Sequence, residues 1–228
     1  MYTLYIANKN YSSWSLRPWI LLTELGIPFE EKLKPFLGGT SSSWDAFREF
    51  SPTGKVPCLH DGDTLVWDSL AIAEYLAERH PVWPTDARAR AWARSAAAEM
   101  HSGFQALRSQ CPMNCGIRLQ LHAISPALSR DIGRVQELWN EGLQRFGGPY
   151  LAGRAFTAVD AFYAPVTFRI QSYQLPIGAA SQAYVQRMLA LPSMRRWYDA
   201  ALQETWRDQD HEEETLCQGR LLQDLRVA

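Results

Sequence analysis

A polar junction between a strand and a helix is the feature that most constrains this chain, and it lies at residues 8–19. The preceding residues, 2–7, are short and rich in strand formers, and the residues after the junction are apolar on nearly every helical face. Three hydroxyl groups, on Ser12, Ser13 and Ser15, crowd the junction. The N-terminus of a helix carries unpaired N–H groups and a partial positive charge, so we expect this junction to favour an anion.

Pro18 limits where the first helix can begin. Proline has no N–H group and is tolerated in the first helical turn, so we expect the helix to begin near Ser15. Ser12 and Ser13 would then lie in the loop before it. The sequence therefore predicts that a loop serine, aimed at the helix end, meets the anion.

Strands and short helices alternate over the N-terminal part of the chain. The strand patterns lie at residues 2–7, 29–33, 56–60 and 64–67, and the helix patterns lie at residues 15–25, 44–50 and 69–80. A strand–helix–strand unit pairs in parallel, whereas the turn signal at residues 61–63 predicts an antiparallel hairpin. Glycines and serines at residues 38–43 predict a loop. The pattern therefore predicts a small α/β domain with a mixed sheet at residues 1–80.

The second part of the chain follows a proline-containing linker at residues 81–86. We expect every segment of the following domain, residues 87–228, to be helical. The helix patterns lie at residues 87–107, 128–146, 157–170, 181–189 and 193–205. Pro112 would bend or end the first of them, and Thr157 with Asp160 forms a capping box at the third. The charged tail from Arg207 predicts a polar, solvated end.

Composition narrows the class of protein. The chain has 228 residues, of which 46% are hydrophobic, and a net charge of -1, which gives no electrostatic attraction to nucleic acid or to an anionic membrane. No apolar run approaches the roughly 20 residues that span a bilayer, and no signal peptide is evident. Four cysteines are too few for a disulfide scaffold in a chain of this length, so we expect a cytoplasmic protein.

Four motifs, in this order and spacing, resemble those of the cytosolic glutathione transferases. They are the serine turn at residues 12–17, similar to that of zeta-class and related bacterial members, the pair Val56-Pro57, the pair Asp68-Ser69 and the capping box at residues 157–160. The resemblance covers the chain up to about Thr205. It implies an α/β thioredoxin-like N-terminal domain at residues 1–80 plus an all-α C-terminal domain at residues 87–228. It also implies a homodimer.

The resemblance implies that glutathione is the co-substrate and that its thiolate attacks a small hydrophobic electrophile, typically in detoxification. A free thiol has a pKa of about 8.5, and a hydroxyl donor at a helix N-terminus favours the charged form. Ser12 is the favoured donor. Ser13 stays a rival, because the loop before it is about two residues longer than in zeta members. Asn10 or Tyr11 could also enter the site, and Tyr5 is a weaker alternative.

The same resemblance implies where glutathione binds. The main-chain groups of Val56, which precedes a cis proline at Pro57, would pair with the cysteinyl part of glutathione like an added strand. Asp68 would pair with the ammonium of the γ-glutamyl end. Ser69, at a helix N-terminus, would meet its carboxylate. Lys55 could reach the glycine carboxylate.

Three other functions compete with transfer to an electrophile. The first is glutathione-dependent isomerisation of the maleylacetoacetate type, because Arg17 resembles an arginine of the zeta motif. Pro18 and Trp19 depart from that motif, however. The second is a non-catalytic glutathione-binding module on the same fold. The third, a glutaredoxin-type oxidoreductase, needs a cysteine at the strand-to-helix turn, and residues 1–50 contain none.

A few further residues carry weaker signals. Cys111 and Cys115 lie four residues apart, and buried or idle thiols are a simpler interpretation than a redox or metal pair. We therefore expect no metal site. The residues that the resemblance places on the electrophile-lining helix are His101, Phe104, Arg108, Met113 and Asn114. The charged run of His211, Glu212 and Glu213 predicts a solvated surface.

Overall fold

The computed structural model describes residues 1–36 and 43–227. Its first sheet has four strands, which are β1 (Tyr2–Ile6), β2 (Phe29–Leu33), β3 (Cys58–Asp61) and β4 (Thr64–Trp67). They lie in the order β2-β1-β3-β4. β1 pairs in parallel with β2 and antiparallel with β3, and β3 and β4 form an antiparallel hairpin. The predicted mixed sheet is therefore confirmed.

Three helices accompany this sheet, namely α1 (Ser13–Glu24), α2 (Ser43–Phe47) and α3 (Ser69–Ala77). Helix α1 begins at Ser13, two residues earlier than we predicted, so the expectation that Ser13 lies in the loop is wrong. Pro18 lies beyond the first turn, where a proline costs about 3 kcal/mol. Burial of nine of the twelve residues of α1 offsets that cost. Of the predicted loop, residues 38–42 lie outside the described part, and Ser43 opens α2 instead.

The second half of the chain is built around one buried helix. Its helices are α4 (Ala87–Ser102), α5 (Gln105–Gln110), α6 (Pro126–Arg145), α7 (Ala158–Tyr173), α8 (Ala179–Ala190), α9 (Pro192–Gln203) and α10 (Gln209–Leu216). Every residue of α7 except Gln171 is buried, and α7 packs against both α1 and α4. The predicted capping box opens it, since the N–H of Thr157 donates to Oδ2 of Asp160 at 3.0 Å. Helix α7 therefore joins the two halves of the chain.

The break after α4 differs from the prediction. The helix ends at Ser102, and not at Pro112, because the chain turns through Gly103 and Phe104. A Cβ atom on Gly103 would lie 2.8 Å from the carbonyl oxygen of Glu99, so the turn needs a glycine. Phe104 has a left-handed backbone with a φ of 59°. A separate short helix, α5, then follows.

Part of the C-terminal tail folds back onto the protein, so the prediction of a solvated end holds for exposed residues such as Glu213 and Glu214 but not for Glu212 and Arg226. Strands β5 (Ile117–Leu121) and β6 (Gly219–Asp224) form a two-stranded antiparallel sheet, and the prediction that every segment after the linker is helical is also wrong there. Gly219 permits this pairing, because a Cβ atom at that position would lie 2.1 Å from the carbonyl oxygen of Gln120. Three of the charged residues of the tail form ion pairs with one another, as Arg226 binds both Glu212 and Asp224.

The segment between α3 and α4 is packed into the protein. Val82 and Trp83 are buried, and the carbonyl of Val82 accepts a hydrogen bond from the N–H of Ala158 at 2.8 Å. This bond ties the predicted linker to the first residue of α7. Within residues 1–36 and 43–227, no helix is both long enough and apolar enough to cross a membrane.

Candidate functional site

Ser12 links the end of β1 to the start of α1. It is the N-cap residue of α1, and its Oγ accepts a hydrogen bond from the N–H of Ser15 at 3.4 Å. Its hydroxyl donates to Oγ of Ser15 at 2.7 Å, and that atom also accepts from the N–H of Ala7 at 3.3 Å. The two serines therefore hold the strand-to-helix turn in place.

Ser13 faces a different neighbour. As the first residue of α1, it accepts a hydrogen bond at its Oγ from Nη2 of Arg169, which lies on α7, at 3.4 Å. The guanidinium of Arg169 also donates through Nε to the carbonyl of Cys111 at 2.8 Å. Ser13 is thus tied to the helical half of the chain, while Ser12 lies at the edge of a cavity.

Two adjoining cavities surround the predicted site residues. The larger, which we call the first cavity, has a volume of about 500 Å³ and is lined by Trp14, Thr53, Lys55, Val56, Pro57, Trp67, Asp68 and Ser69. The second cavity has a volume of about 230 Å³ and is lined by Tyr11, Ser12, Trp14, Phe36, Ser43, Phe47, Gly54, Lys55, Val56 and His211. Trp14, Lys55 and Val56 belong to both. The structure therefore brings Ser12 and all five predicted binding residues together, whereas Ser13 lines neither cavity.

Val56 stands where the two cavities meet. Its peptide bond to Pro57 is cis, as the resemblance implies. Among the residues that the structure describes, neither the N–H nor the carbonyl of Val56 has a hydrogen-bond partner. Both groups are therefore available to an extended ligand.

Asp68 and Ser69 form the N-terminus of α3. Asp68 has a φ of 73°, and its Oδ1 accepts a hydrogen bond from the N–H of Leu70 at 2.7 Å. Its other oxygen lies 3.4 Å from Nε2 of His101 on α4. Ser69 is buried, and its Oγ accepts a hydrogen bond from Nη1 of Arg17 at 3.4 Å. This corner of the first cavity therefore presents one carboxylate and one hydroxyl, with the buried guanidinium of Arg17 behind the hydroxyl.

A cluster of three arginines, Arg17, Arg108 and Arg169, lies behind Trp14. Arg17 is only 2% exposed, and its guanidinium carbon lies 4.1 Å from the centroid of the Trp14 ring. Within the described residues, no carboxylate forms an ion pair with any of the three, and Nε of Arg17 has no hydrogen-bond partner. Burial, followed by repulsion from Arg108 and Arg169, lowers the pKa of Arg17 well below its ordinary value. The cluster therefore places three guanidinium groups close together on this side of the site.

Sequence reasoning gave Arg17 only as a motif match and did not identify Arg169. One signal was present for Arg17, since a helix that is apolar on nearly every face buries whatever polar residue it contains. No local signal marks Arg169, because its contact with Ser13 joins residues 156 positions apart.

The residues expected on the electrophile-lining helix divide into three sets. The ring of His101 and the guanidinium of Arg108 both contact the ring of Trp14. The centroids of the His101 and Trp14 rings lie 5.3 Å apart, and the guanidinium carbon of Arg108 lies 4.7 Å from the Trp14 centroid. Burial lowers the pKa of His101, with Asp68 opposing the shift. Phe104 and Met113 instead pack in the hydrophobic core. Asn114 donates to Glu212 in the tail at 3.2 Å.

Part of the charged run in the tail belongs to the site, so the prediction that the run is solvated is wrong for His211 and Glu212, whereas Glu213 is exposed as predicted. His211 lines the second cavity, and Glu212 accepts a hydrogen bond from the hydroxyl of Tyr11 at 2.6 Å. The side chain of Glu212 is only 17% exposed. Burial and Glu212 together raise the pKa of Tyr11 above its ordinary value. Only the long-range fold of the tail brings these residues to the cavity.

The cysteines are free thiols, and Cys111 and Cys115 are buried. Burial raises the pKa of Cys111 to about 12, so it stays a neutral thiol. In the part of the chain that the structure describes, no group of histidine, cysteine, aspartate or glutamate residues could hold a metal ion.

Comparisons with known proteins agree with this geometry. Residues 11–79 match the family model of the glutathione S-transferase N-terminal domain, and residues 87–200 match that of the glutathione S-transferase C-terminal domain. The chain is 28% identical to glutathione S-transferase Z2 of Arabidopsis thaliana over 204 residues, which is 84% of this chain and 85% of that protein. It is 29% identical to glutathione S-transferase theta-1 of Bos taurus over 192 residues, covering 82% and 78% of the two chains.

Solved structures share the fold. A glutathione transferase homologue from Burkholderia, crystallised with bound glutathione, has a TM-score of 0.64 at 23% identity and covers 88% of this chain and 97% of its own. The theta-class enzyme of Xanthomonas axonopodis pv. citri, also with glutathione bound, has a TM-score of 0.62 at 22% identity and covers 86% and 96%. The predicted architecture, a thioredoxin-like domain followed by a helical domain, is thereby confirmed. The chain belongs to the glutathione S-transferase family.

Proposed function

We propose that this glutathione S-transferase activates the thiol of glutathione at Ser12 for attack on a hydrophobic electrophile. The observation that carries the proposal is that Ser12 and Val56 line one cavity, while Val56, Asp68 and Ser69 line the adjoining one. An extended tripeptide that pairs with the free main-chain groups of Val56 therefore reaches both. Its γ-glutamyl end enters the first cavity, and its sulfur enters the second.

The γ-glutamyl end meets complementary charges in the first cavity. Asp68 binds the ammonium group, because its carboxylate is exposed to the cavity and belongs to the α3 cap. Ser69 and the N-terminus of α3 bind the carboxylate. Arg17 adds a charge-assisted partner beside Ser69. Lys55, on the wall that both cavities share, binds the glycine carboxylate.

The sulfur meets a hydroxyl and a positive helix end. Ser12 donates to the thiolate in place of Ser15, and the N-terminus of α1 and the buried Arg169 add positive potential. Lowering the thiol pKa by two units takes about 2.7 kcal/mol, and one hydrogen bond to a charged group supplies about 1.5–3 kcal/mol. The serine thus activates the nucleophile of the substrate and forms no covalent bond itself.

Ser12 is a better candidate than its rivals. Ser13 lines neither cavity and accepts from Arg169, so we assign it a supporting role at the domain contact. The hydroxyl hydrogen of Tyr11 is already donated to Glu212. The aromatic side chains of Phe36 and Phe47 on the wall of the second cavity suit a hydrophobic electrophile.

Two further properties complete the proposal. The first is a homodimer, supported by an exposed apolar face on β4, where Leu65 and Trp67 are 40% and 45% exposed, and by Leu70 and Ala71 beside them. The second is a cytoplasmic location, supported by four free cysteines, which suit a reducing compartment.

Titration calorimetry with glutathione and assays with a model aryl halide test the proposal together. We expect wild-type protein to bind glutathione and to turn over the halide. The Ser12→Ala variant should bind glutathione but lose most turnover, and Ser13→Ala should keep most of it. No heat of binding at millimolar glutathione, or a loss of turnover in Ser13→Ala alone, would overturn the assignment.

A further inference from the structure

His211 on α10 faces the cavity where the proposed sulfur site lies. Its ring stacks on two aromatic rings of the N-terminal half, with centroid distances of 5.1 Å to Tyr11 and 4.7 Å to Phe36. The second cavity is lined by His211 together with Ser12 and Val56. A residue from the far end of the chain thus enters the wall of the site.

Asp208 fixes the orientation of this imidazole. Its Oδ2 lies 2.5 Å from Nδ1 of His211 and also accepts the main-chain N–H of His211 at 3.3 Å, as the N-cap of α10. The side chain of Asp208 is 5% exposed, whereas that of His211 is 33% exposed. A carboxylate at Nδ1 accepts a hydrogen bond from the N–H of that nitrogen. In the neutral imidazole, Nε2 then keeps its lone pair and can accept a proton. Among the described residues, Nε2 has no hydrogen-bond partner.

A network of ion pairs and hydrogen bonds holds α10 over the cavity. Arg226, whose side chain is 5% exposed, donates to both oxygens of Glu212 and pairs with Asp224 at 2.8 Å. Glu212 in turn accepts from Tyr11 at 2.6 Å and from Asn114 at 3.2 Å. These bonds join the tail to itself, to Tyr11 of the second cavity and to Asn114 in the segment after α5. They therefore hold His211 in a defined place.

We propose that His211 accepts the proton of the glutathione thiol through Nε2, and that Asp208 is its positioning residue. The inference rests on the proposed function, in which Ser12 stabilises the thiolate. The S–H bond breaks and its electron pair stays on sulfur, while an N–H bond forms at Nε2. The resulting imidazolium is paired with the carboxylate of Asp208, and its proton later passes to the leaving group or to water.

Among the described residues that line the second cavity, His211 carries the one imidazole, and none carries a carboxylate. Asp208 faces this imidazole from its own helix, Tyr11 from the β1–α1 loop and Lys55 from the segment before β3, while Phe36 is apolar. Glu212, behind Tyr11, is already paired with Arg226. The positive groups around the sulfur favour the thiolate but take up no proton.

The test compares the number of protons released with the amount of thiolate formed when glutathione binds. We would measure thiolate by its ultraviolet absorption, and proton release by calorimetry in two buffers of different ionisation enthalpy, at about pH 7.5, which is below the ordinary pKa of a free thiol. The variants are His211→Gln, and His122→Gln as the control, because His122 is an exposed histidine just after β5.

Wild-type protein and His122→Gln should release clearly less than one proton per thiolate, and His211→Gln should release one. Asp208→Asn keeps a good helix cap but removes the charge, so its release should also move towards one. An equal ratio in wild type and His211→Gln would overturn the inference, and an unchanged ratio in Asp208→Asn would overturn the role of Asp208. Absence of any thiolate in wild-type protein would instead refute the proposed function.

Discussion

The hydroxyl of Ser12 donates a hydrogen bond to Oγ of Ser15 at 2.7 Å, and this bond competes with the proposed bond to sulfur. Ser15 itself supports the turn, since it also accepts from the N–H of Ala7. The two neighbouring hydroxyls therefore have separable duties. In the proposed function Ser12 meets the ligand, while Ser15 holds the strand-to-helix junction.

Replacing Ser15 with alanine should cost stability more than catalysis. The buried N–H of Ala7 would lose its partner, which lowers the free energy of unfolding by about 1–3 kcal/mol. Turnover of a model aryl halide by the folded enzyme should stay within about threefold of wild type, because the hydroxyl of Ser12 remains. Denaturant melts and kinetics at a temperature where both proteins are folded check this. A collapse of turnover equal to that of Ser12→Ala would contradict the division of roles.

Asp68→Asn should weaken glutathione binding without unfolding α3. The amide oxygen of asparagine can still cap Leu70, but the charge that we propose binds the ammonium of glutathione is lost. We expect the KM for glutathione to rise about tenfold, equivalent to 1.4 kcal/mol, with a much smaller change in kcat. Asp86→Asn is a matched control, because Asp86 caps α4 through the N–H of Ala89 away from both cavities. An equal KM in both variants would refute the role of Asp68.

Arg17→Met should separate stability from function. Arg17 is buried with no ion-pair partner among the described residues, so replacing it with an apolar side chain removes a desolvation cost. We expect the Tm without glutathione to stay the same or rise, while the affinity for glutathione falls about tenfold or more, measured by calorimetry. A large fall in Tm with unchanged affinity would show that Arg17 is structural alone.

The buried carboxyl of Asp160 makes part of the stability depend on pH. Burial raises its pKa from 3.8 to about 6, against hydrogen bonds from Leu151 and Thr157 that lower it. The folded protein therefore holds this proton where the unfolded chain has lost it, and stability falls as pH rises through that window.

Relative to Asp160→Asn, which cannot titrate, wild-type protein should lose up to about 3 kcal/mol of unfolding free energy between about pH 4 and pH 6. Denaturant melts of both proteins at a series of pH values measure the difference. If the unfolding free energy of wild-type protein instead rose with pH relative to that of Asp160→Asn, the raised pKa of Asp160 would be contradicted.

Local signals made much of the fold predictable. The hairpin turn, the Asp68 cap and the capping box at residues 157–160 each depend on neighbours within a few positions, and each is where the sequence places it. The predicted start of α1 near Ser15 is wrong by two residues, because the local cost of Pro18 is outweighed by the burial of the whole helix.

The rest of the site depends on pairings between distant residues. The contact of Arg169 with Ser13, and that of Glu212 with Tyr11, join positions 156 and 201 residues apart. A run such as 211–214, read alone, is indistinguishable from a solvated tail. The pairing of β6 with β5 and the bonds of Glu212 to Tyr11 and Asn114 bring His211 to the cavity.

The pKa of the bound glutathione thiol, followed by thiolate absorption in wild-type protein and in Ser12→Ala, tests the central claim most directly. With wild-type protein we expect a pKa about two units below that of free glutathione, and with Ser12→Ala a pKa close to the free value of about 8.5. Equal thiol pKa values in the two proteins would contradict the assignment of Ser12 as the hydrogen-bond donor to the thiolate.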